Sequence, residues 1–112
     1  MTKVRINPGV CGFDAEVTAV SEDDGESVKL TVSSECQSVK KLLSVTGNSF
    51  DPYELCLKKP GGNALYKCAA ELFPAHAACP VIAGIIKCAE AECRLALPRD
   101  ASITFEECNP EN

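Results

Sequence analysis

Cysteine is the residue type through which this 112-residue chain could do chemistry: it carries eight, at positions 11, 36, 56, 68, 79, 88, 93 and 108, beside one histidine, His76. Thiolates serve both as nucleophiles and as soft metal ligands, so their placement decides more than their number. Cys68, Cys88 and Cys93 fall in apolar patterns at helical spacing, where a thiol packs as a small hydrophobe. Cys88 and Cys93, five residues apart, are turned about 140° from each other on a helix and do not easily share one metal. Cys108 lies in a polar stretch and belongs to no pattern.

Cys11, Cys36 and Cys79 sit at junctions, where function concentrates. Cys11 is in the turn Pro8-Gly9-Val10-Cys11-Gly12. Cys36 opens a helix after Ser33-Ser34, and Cys79 caps the helix that Pro80 begins. Unpaired amides and the macrodipole at a helix start favour an anion, the form that a nucleophile and a metal ligand both need. Gly12 lets the backbone approach a bound group, and its amide could donate to a sulfur ligand. A fourth ligand would be Cys56 or His76. Four ligands make a closed zinc site, whereas three thiolates leave one position open for substrate or suit an iron–sulfur cluster.

The elements needed to gather these residues are legible. Lys3–Asn7 alternates as a strand and ends at Pro8-Gly9. Phe13, Ala15, Val17 and Ala19 form one face of a second strand, and Val28, Leu30 and Val32 one face of a third. Strand one runs up to Cys11, strand two runs down, and strand three runs up to Cys36, so both cysteines fall at one end of the sheet. Helices follow: one after Cys36 carrying Val39, Leu42 and Leu43 and ending at Gly47, and a short one from Asp51-Pro52 to Leu57. A third starts at Asn63 with the stripe Leu65, Cys68, Ala69 and Leu72. The longest runs from about Cys79 to Leu95, and its start can dock at the cysteine end. Ser102–Phe105 reads as a last strand, before a polar tail over residues 107–112. The expected architecture is a single α+β domain over 1–112. Its antiparallel sheet has about four strands, meander first and last strand C-terminal, covered on one face by three to four helices.

Composition narrows the function classes. Apolar residues make up 46% and charged residues 24%, as in a globular domain. The net charge is -5 with no basic cluster beyond Lys40-Lys41 or Lys58-Lys59, which argues against nucleic-acid or anionic-membrane partners. The apolar run Val81–Ile86 is far short of a membrane span, and the first residues lead into no signal-peptide pattern, so a cytoplasmic location with thiols rather than a disulfide framework is expected. There is no close CxxC pair, no phosphate-cradling glycine loop and no nameable acid–base pair, and a papain-like reading would rest on His76 alone.

The stretches Pro8-Gly9-Val10-Cys11-Gly12-Phe13, Ser34-Glu35-Cys36, Ala78-Cys79-Pro80-Val81, Ala89-Glu90 and Leu95-Ala96-Leu97-Pro98 resemble a family of small uncharacterised domains from anaerobic prokaryotes. That resemblance covers nearly the whole chain and marks the same three cysteines, but implies no activity. A weaker likeness is to TusA-type sulfur carriers, whose Cys-Pro at a helix start is similar to Cys79-Pro80. Ile82 stands where their second proline would be, and their βαβαββ order differs. The leading expectation is a metal- or iron–sulfur-binding domain built on Cys11, Cys36 and Cys79, serving redox or metal-cofactor metabolism with a protein partner. The alternatives are a thiol-based sulfur carrier or redox protein, with Cys79 as nucleophile and Cys36 or Cys11 resolving it, and a non-catalytic interaction module.

Overall fold

The computed structural model describes residues 1–109. Its elements are β1 (Thr2–Ile6), β2 (Ala15–Val20), β3 (Val28–Ser34), α1 (Gln37–Thr46), β4 (Ser49–Phe50), α2 (Pro52–Cys56), α3 (Ala64–Leu72) and α4 (Pro80–Glu92). The strands form one antiparallel sheet in the order β1-β2-β3-β4, with Val4 opposite Val17 and Val17 opposite Val32. This is the α+β architecture expected.

Alternation decides which face is covered. Ala15, Val17 and Ala19 of β2 and Val28 and Leu30 of β3 are buried, while Lys3, Arg5, Lys29, Thr31 and Ser33 on the opposite face are exposed. α4 lies across β1, β2 and β3, α1 packs on β3, α3 packs on α1, and α2 on α4. Leu42 of α1, Leu65 of α3 and Val81 and Ile85 of α4 join the buried sheet residues in one core. Caps follow the residue types: Asp51 accepts from the Tyr53 N–H, and Asn63 accepts from the Tyr66 N–H while its amide donates to the Leu55 carbonyl at 2.8 Å. Gly47 closes α1 at φ 82°.

Two expectations are corrected. The fourth strand is Ser49–Phe50, not Ser102–Phe105: α1 returns the chain to the start of β3, where the Leu30 N–H donates to the Asn48 carbonyl and Phe50 pairs with Val28. Residues 101–109 carry no regular structure and are exposed, because the chain turns at Arg94 (φ 60°) and leaves the globule through Leu97-Pro98. Phe13 stands 47% exposed in the loop before β2 rather than on its inner face. The tail expected over 107–112 lies outside the described residues from 110 onward; 107–109 are exposed.

Candidate functional site

The direction of α4 fixes which end of the sheet Cys79 occupies. Gly84 sits against the Ile6 side chain, Cys88 Sγ lies 3.3 Å from the Thr2 carbonyl oxygen, and Glu92 accepts from Thr2 Oγ1 at 2.7 Å and the Ser21 N–H at 2.9 Å. Partners on β1 therefore run backward from Ile6 to Thr2 as α4 advances. Cys79, five residues before Gly84, lies about 7.5 Å further along the axis, beyond the Ile6 end. The Asn7–Asp14 loop with Cys11, and the exit of β3 into Cys36, are at that same end. One end of the molecule thus carries Cys11, Cys36 and Cys79.

Each is presented differently. Cys11 is exposed in a loop folded by its own backbone: Asn7 Oδ1 accepts from the Gly9 N–H, and the Gly9 carbonyl from the Gly12 N–H at 3.0 Å. Gly9 and Gly12 take φ of 90° and 73°, which glycine adopts without strain. The Gly12 amide is therefore engaged within the turn rather than turned to a sulfur ligand, a correction to the role expected of it. No atom lies within 4 Å of where a Gly12 side chain would be, so its open side remains approachable.

Cys36 and Cys79 are the N-cap residues of α1 and α4, half-buried against the core, and neither side chain caps its helix. The first-turn amides of both helices thus lack a side-chain acceptor, an arrangement suited to negative charge. Among the described residues, no three His, Cys, Asp or Glu side chains are set to hold a metal ion. The three cysteines share an end of the fold without being drawn into one ligand set.

The two candidates for a fourth ligand separate. Cys56 faces the second half of α4: its thiol lies 3.8 Å from the Ile86 carbonyl oxygen, and burial, with Glu90 and Cys93 nearby, pushes it up to about 12. Ile86 is seven residues beyond Cys79, about 10 Å down the helix, which removes Cys56 from the cysteine end. His76 is exposed at φ 69°, and its carbonyl accepts from the Cys79 N–H at 3.1 Å, so it stays at that end. Cys88 is enclosed, and burial pushes its thiol up to about 11; burial also raises Cys68 and Cys93. The packing role read from their apolar stripes suits these positions. All eight cysteines are free thiols.

A groove of about 550 Å³, which sequence reasoning missed, opens beside the turn that leads into α4, lined by Tyr66, Phe73, His76 and Ile82 among others. Its only sequence signal was the pair of aromatics seven residues apart on α3 and its exit. No helix among the described residues is long and apolar enough to cross a membrane.

These features define a small α+β thiol domain, a helix-covered antiparallel sheet with three cysteines at one end. The chain belongs to the Family of unknown function (DUF6951), whose model matches residues 2–105. No curated protein and no solved structure matches it.

Proposed function

We propose that the cysteine end of this domain binds a soft metal ion or an iron–sulfur cluster through the thiolates of Cys11, Cys36 and Cys79. Gly12 gives the bound group its close backbone approach, and His76 is the fourth donor where one is used. The observation that carries this reading is the direction of α4, which sets a third cysteine at the end where the sheet already presents two. Two of the three are uncapped helix starts, which stabilise the negative charge of thiolates and of the sulfides in a cluster. Assembly of the site requires the glycine-hinged Cys11 loop to close over the helix starts. The role is cytoplasmic, in redox or metal-cofactor metabolism of an anaerobe, with a protein partner that receives electrons or the bound group.

The test is anaerobic purification followed by an ultraviolet–visible spectrum and analysis for iron, zinc and sulfide, on wild type and on Cys11→Ser, Cys36→Ser and Cys79→Ser. Stoichiometric metal lost in all three variants is the expected result. Metal retained in any one of them, or metal-free wild type, overturns the shared site.

The groove at the turn into α4, lined by His76 and Ile82 on either side of Cys79 in the chain, favours a second reading, a sulfur carrier or redox protein. Cys79 Sγ then carries the reactive sulfur in a disulfide or persulfide bond, and Cys36 or Cys11 attacks Cys79 Sγ. That forms an internal disulfide and expels the carried thiolate or hydrosulfide. Metal-free protein with one rapidly alkylated thiol at Cys79 would select it.

A further inference from the structure

β1 is the outer strand of the sheet, and its second edge meets no other strand among the described residues. The open flank is visible in side-chain burial. On central β2 the helix-side residues Ala15, Val17 and Ala19 are no more than 1% exposed, whereas Thr2, Val4 and Ile6 on β1 face the same helices and remain half-exposed. α4 covers them from above, and among the described residues no strand flanks them. On the other face Lys3 and Arg5 share one carboxylate, Glu16, so that face of the edge carries surplus positive charge. An edge of this kind is a template for strand addition.

The same chain contains a segment with the complementary pattern. Ser102-Ile103-Thr104-Phe105-Glu106 is outside the sheet, with Ile103 87% and Phe105 97% exposed, and Ser102–Phe105 lies inside the family's matched range. The molecule measures 55 Å along one axis against 30 and 25 Å along the others, in keeping with residues 97–109 leaving the globule. Ile103 and Phe105 are two apart, so both point to one face of a strand, and Thr104 and Glu106 point to the other.

We propose that residues 102–106 of one copy add to the β1 edge of a second copy, antiparallel and reciprocally, to make a two-fold symmetric dimer. One register satisfies every pair: Ile103 opposite Ile6, Thr104 opposite Arg5, Phe105 opposite Val4 and Glu106 opposite Lys3. The two apolar residues then close the half-exposed flank beneath α4, and the acid meets the surplus cation. Direction favours a partner copy: α4 ends beside Thr2, so its own tail, entering directly, runs parallel to β1 and, with Ile103 and Phe105 opposite Val4 and Ile6, carries Glu106 to Asn7 and away from Lys3. The exchange fills the β1 edge of both copies with the same surface, the isologous arrangement of a closed dimer.

The experiment is sedimentation equilibrium on the full chain from 1 to 100 µM, with reductant present so that exposed Cys108 cannot crosslink copies. The variants are Ile103→Asp/Phe105→Asp, Lys3→Glu, and Lys3→Glu combined with Glu106→Lys. The expected result is a wild-type dimer that the double Asp variant weakens by at least about 100-fold, since both apolar anchors are lost. Lys3→Glu weakens it several-fold and the charge swap restores it, while the double Asp variant leaves the melting temperature of the dissociated chains unchanged because the tail is outside the core. A monomeric wild type, a dimer indifferent to the tail, or a monomer whose 102–105 amides resist hydrogen exchange through docking on their own β1 each overturns the proposal.

Discussion

Glu92→Gln tests whether the anchor at the bottom of α4 is as strong as its contacts indicate. The Glu92 carboxylate, with its side chain 10% exposed, accepts from Thr2 Oγ1 and the Ser21 N–H and lies 3.4 Å from the amino terminus. Burial alone would raise its pKa; these hydrogen bonds and the terminal charge outweigh it and hold the carboxyl below its ordinary 4.5. Glutamine keeps the shape but not the charge: with its oxygen toward the Ser21 N–H, its NH2 donates to Thr2 Oγ1, a hydroxyl that can accept as well as donate. Two charge-assisted bonds become neutral ones, together about 1–2 kcal/mol. The exposed amino terminus adds little. At a urea m-value of about 2 kcal/mol/M, the midpoint at pH 7 falls by about 0.5–1 M, read by far-ultraviolet circular dichroism. The pH dependence carries a definite sign. A depressed folded pKa stabilises above the unfolded value, and that contribution is lost as pH falls through the folded value, so the gap between wild type and Glu92→Gln narrows from pH 6 to pH 3. A gap under about 0.5 kcal/mol at pH 7, the size of an ordinary surface substitution, or one constant with pH, would refute the anchor.

Other outcomes follow from single contacts. Asn63→Ala removes the α3 cap and orphans the Leu55 carbonyl, at about 2–3 kcal/mol by chemical denaturation; a loss below 1 kcal/mol sinks the two-way role of that amide. Gly84→Ala sets a Cβ on the Ile6 side chain and costs about 1–2 kcal/mol despite alanine's better helix propensity. Adding Ile6→Ala recovers the clash component in a double-mutant cycle, and purely additive losses would contradict the contact. In maleimide labelling at pH 8 followed by mass spectrometry, exposed Cys11 and Cys108 react first. Cys88, with a pKa pushed up to about 11, holds about one part in a thousand as thiolate and reacts last with Cys56; labelling of Cys88 at the pace of Cys11 would overturn its enclosure.

The fold was legible where a pattern repeats. The meander declared itself through Val17 and Ala19 or Val28 and Leu30 in alternation, and the helix starts through Asp51-Pro52, Asn63 and Cys79-Pro80. β4 was not legible, because two residues cannot display a period; Ser49 and Phe50 are strand only because α1 delivers them to Val28. Ser102–Phe105 misled for the opposite reason. Its alternation is genuine strand chemistry, but a sequence does not say which copy of the sheet an edge-seeking segment will find. Cys36 and Cys79 are helix starts and Cys11 a turn residue, as their neighbours in sequence indicate, and topology brings Cys11 and Cys36 to one end. Whether thiols at one end close upon one another depends on loop geometry, which residue types do not encode.

The cysteines divide along α4 in a way that gives physical content to the site. Toward the Thr2 end, Cys88 and Cys56 lie within thiol hydrogen-bonding distance of backbone carbonyls and are raised by burial. Deprotonating either would leave a buried anion facing a carbonyl oxygen, so they are poor ligands and poor nucleophiles. At the opposite end, Cys36 and Cys79 are the N-cap residues of two helices whose first-turn amides have no side-chain acceptor, and Cys11 is exposed. An anion there meets donors rather than acceptors. The same side chain is thus placed among acceptors where it packs and near donors where chemistry is proposed. The Glu92 anchor bears on that division directly: by pinning the last turn of α4 to Thr2 and Ser21, it holds Cys88 against the Thr2 carbonyl. Loosening it should therefore disturb Cys88, which touches the same Thr2, before it reaches Cys79, thirteen residues up the helix.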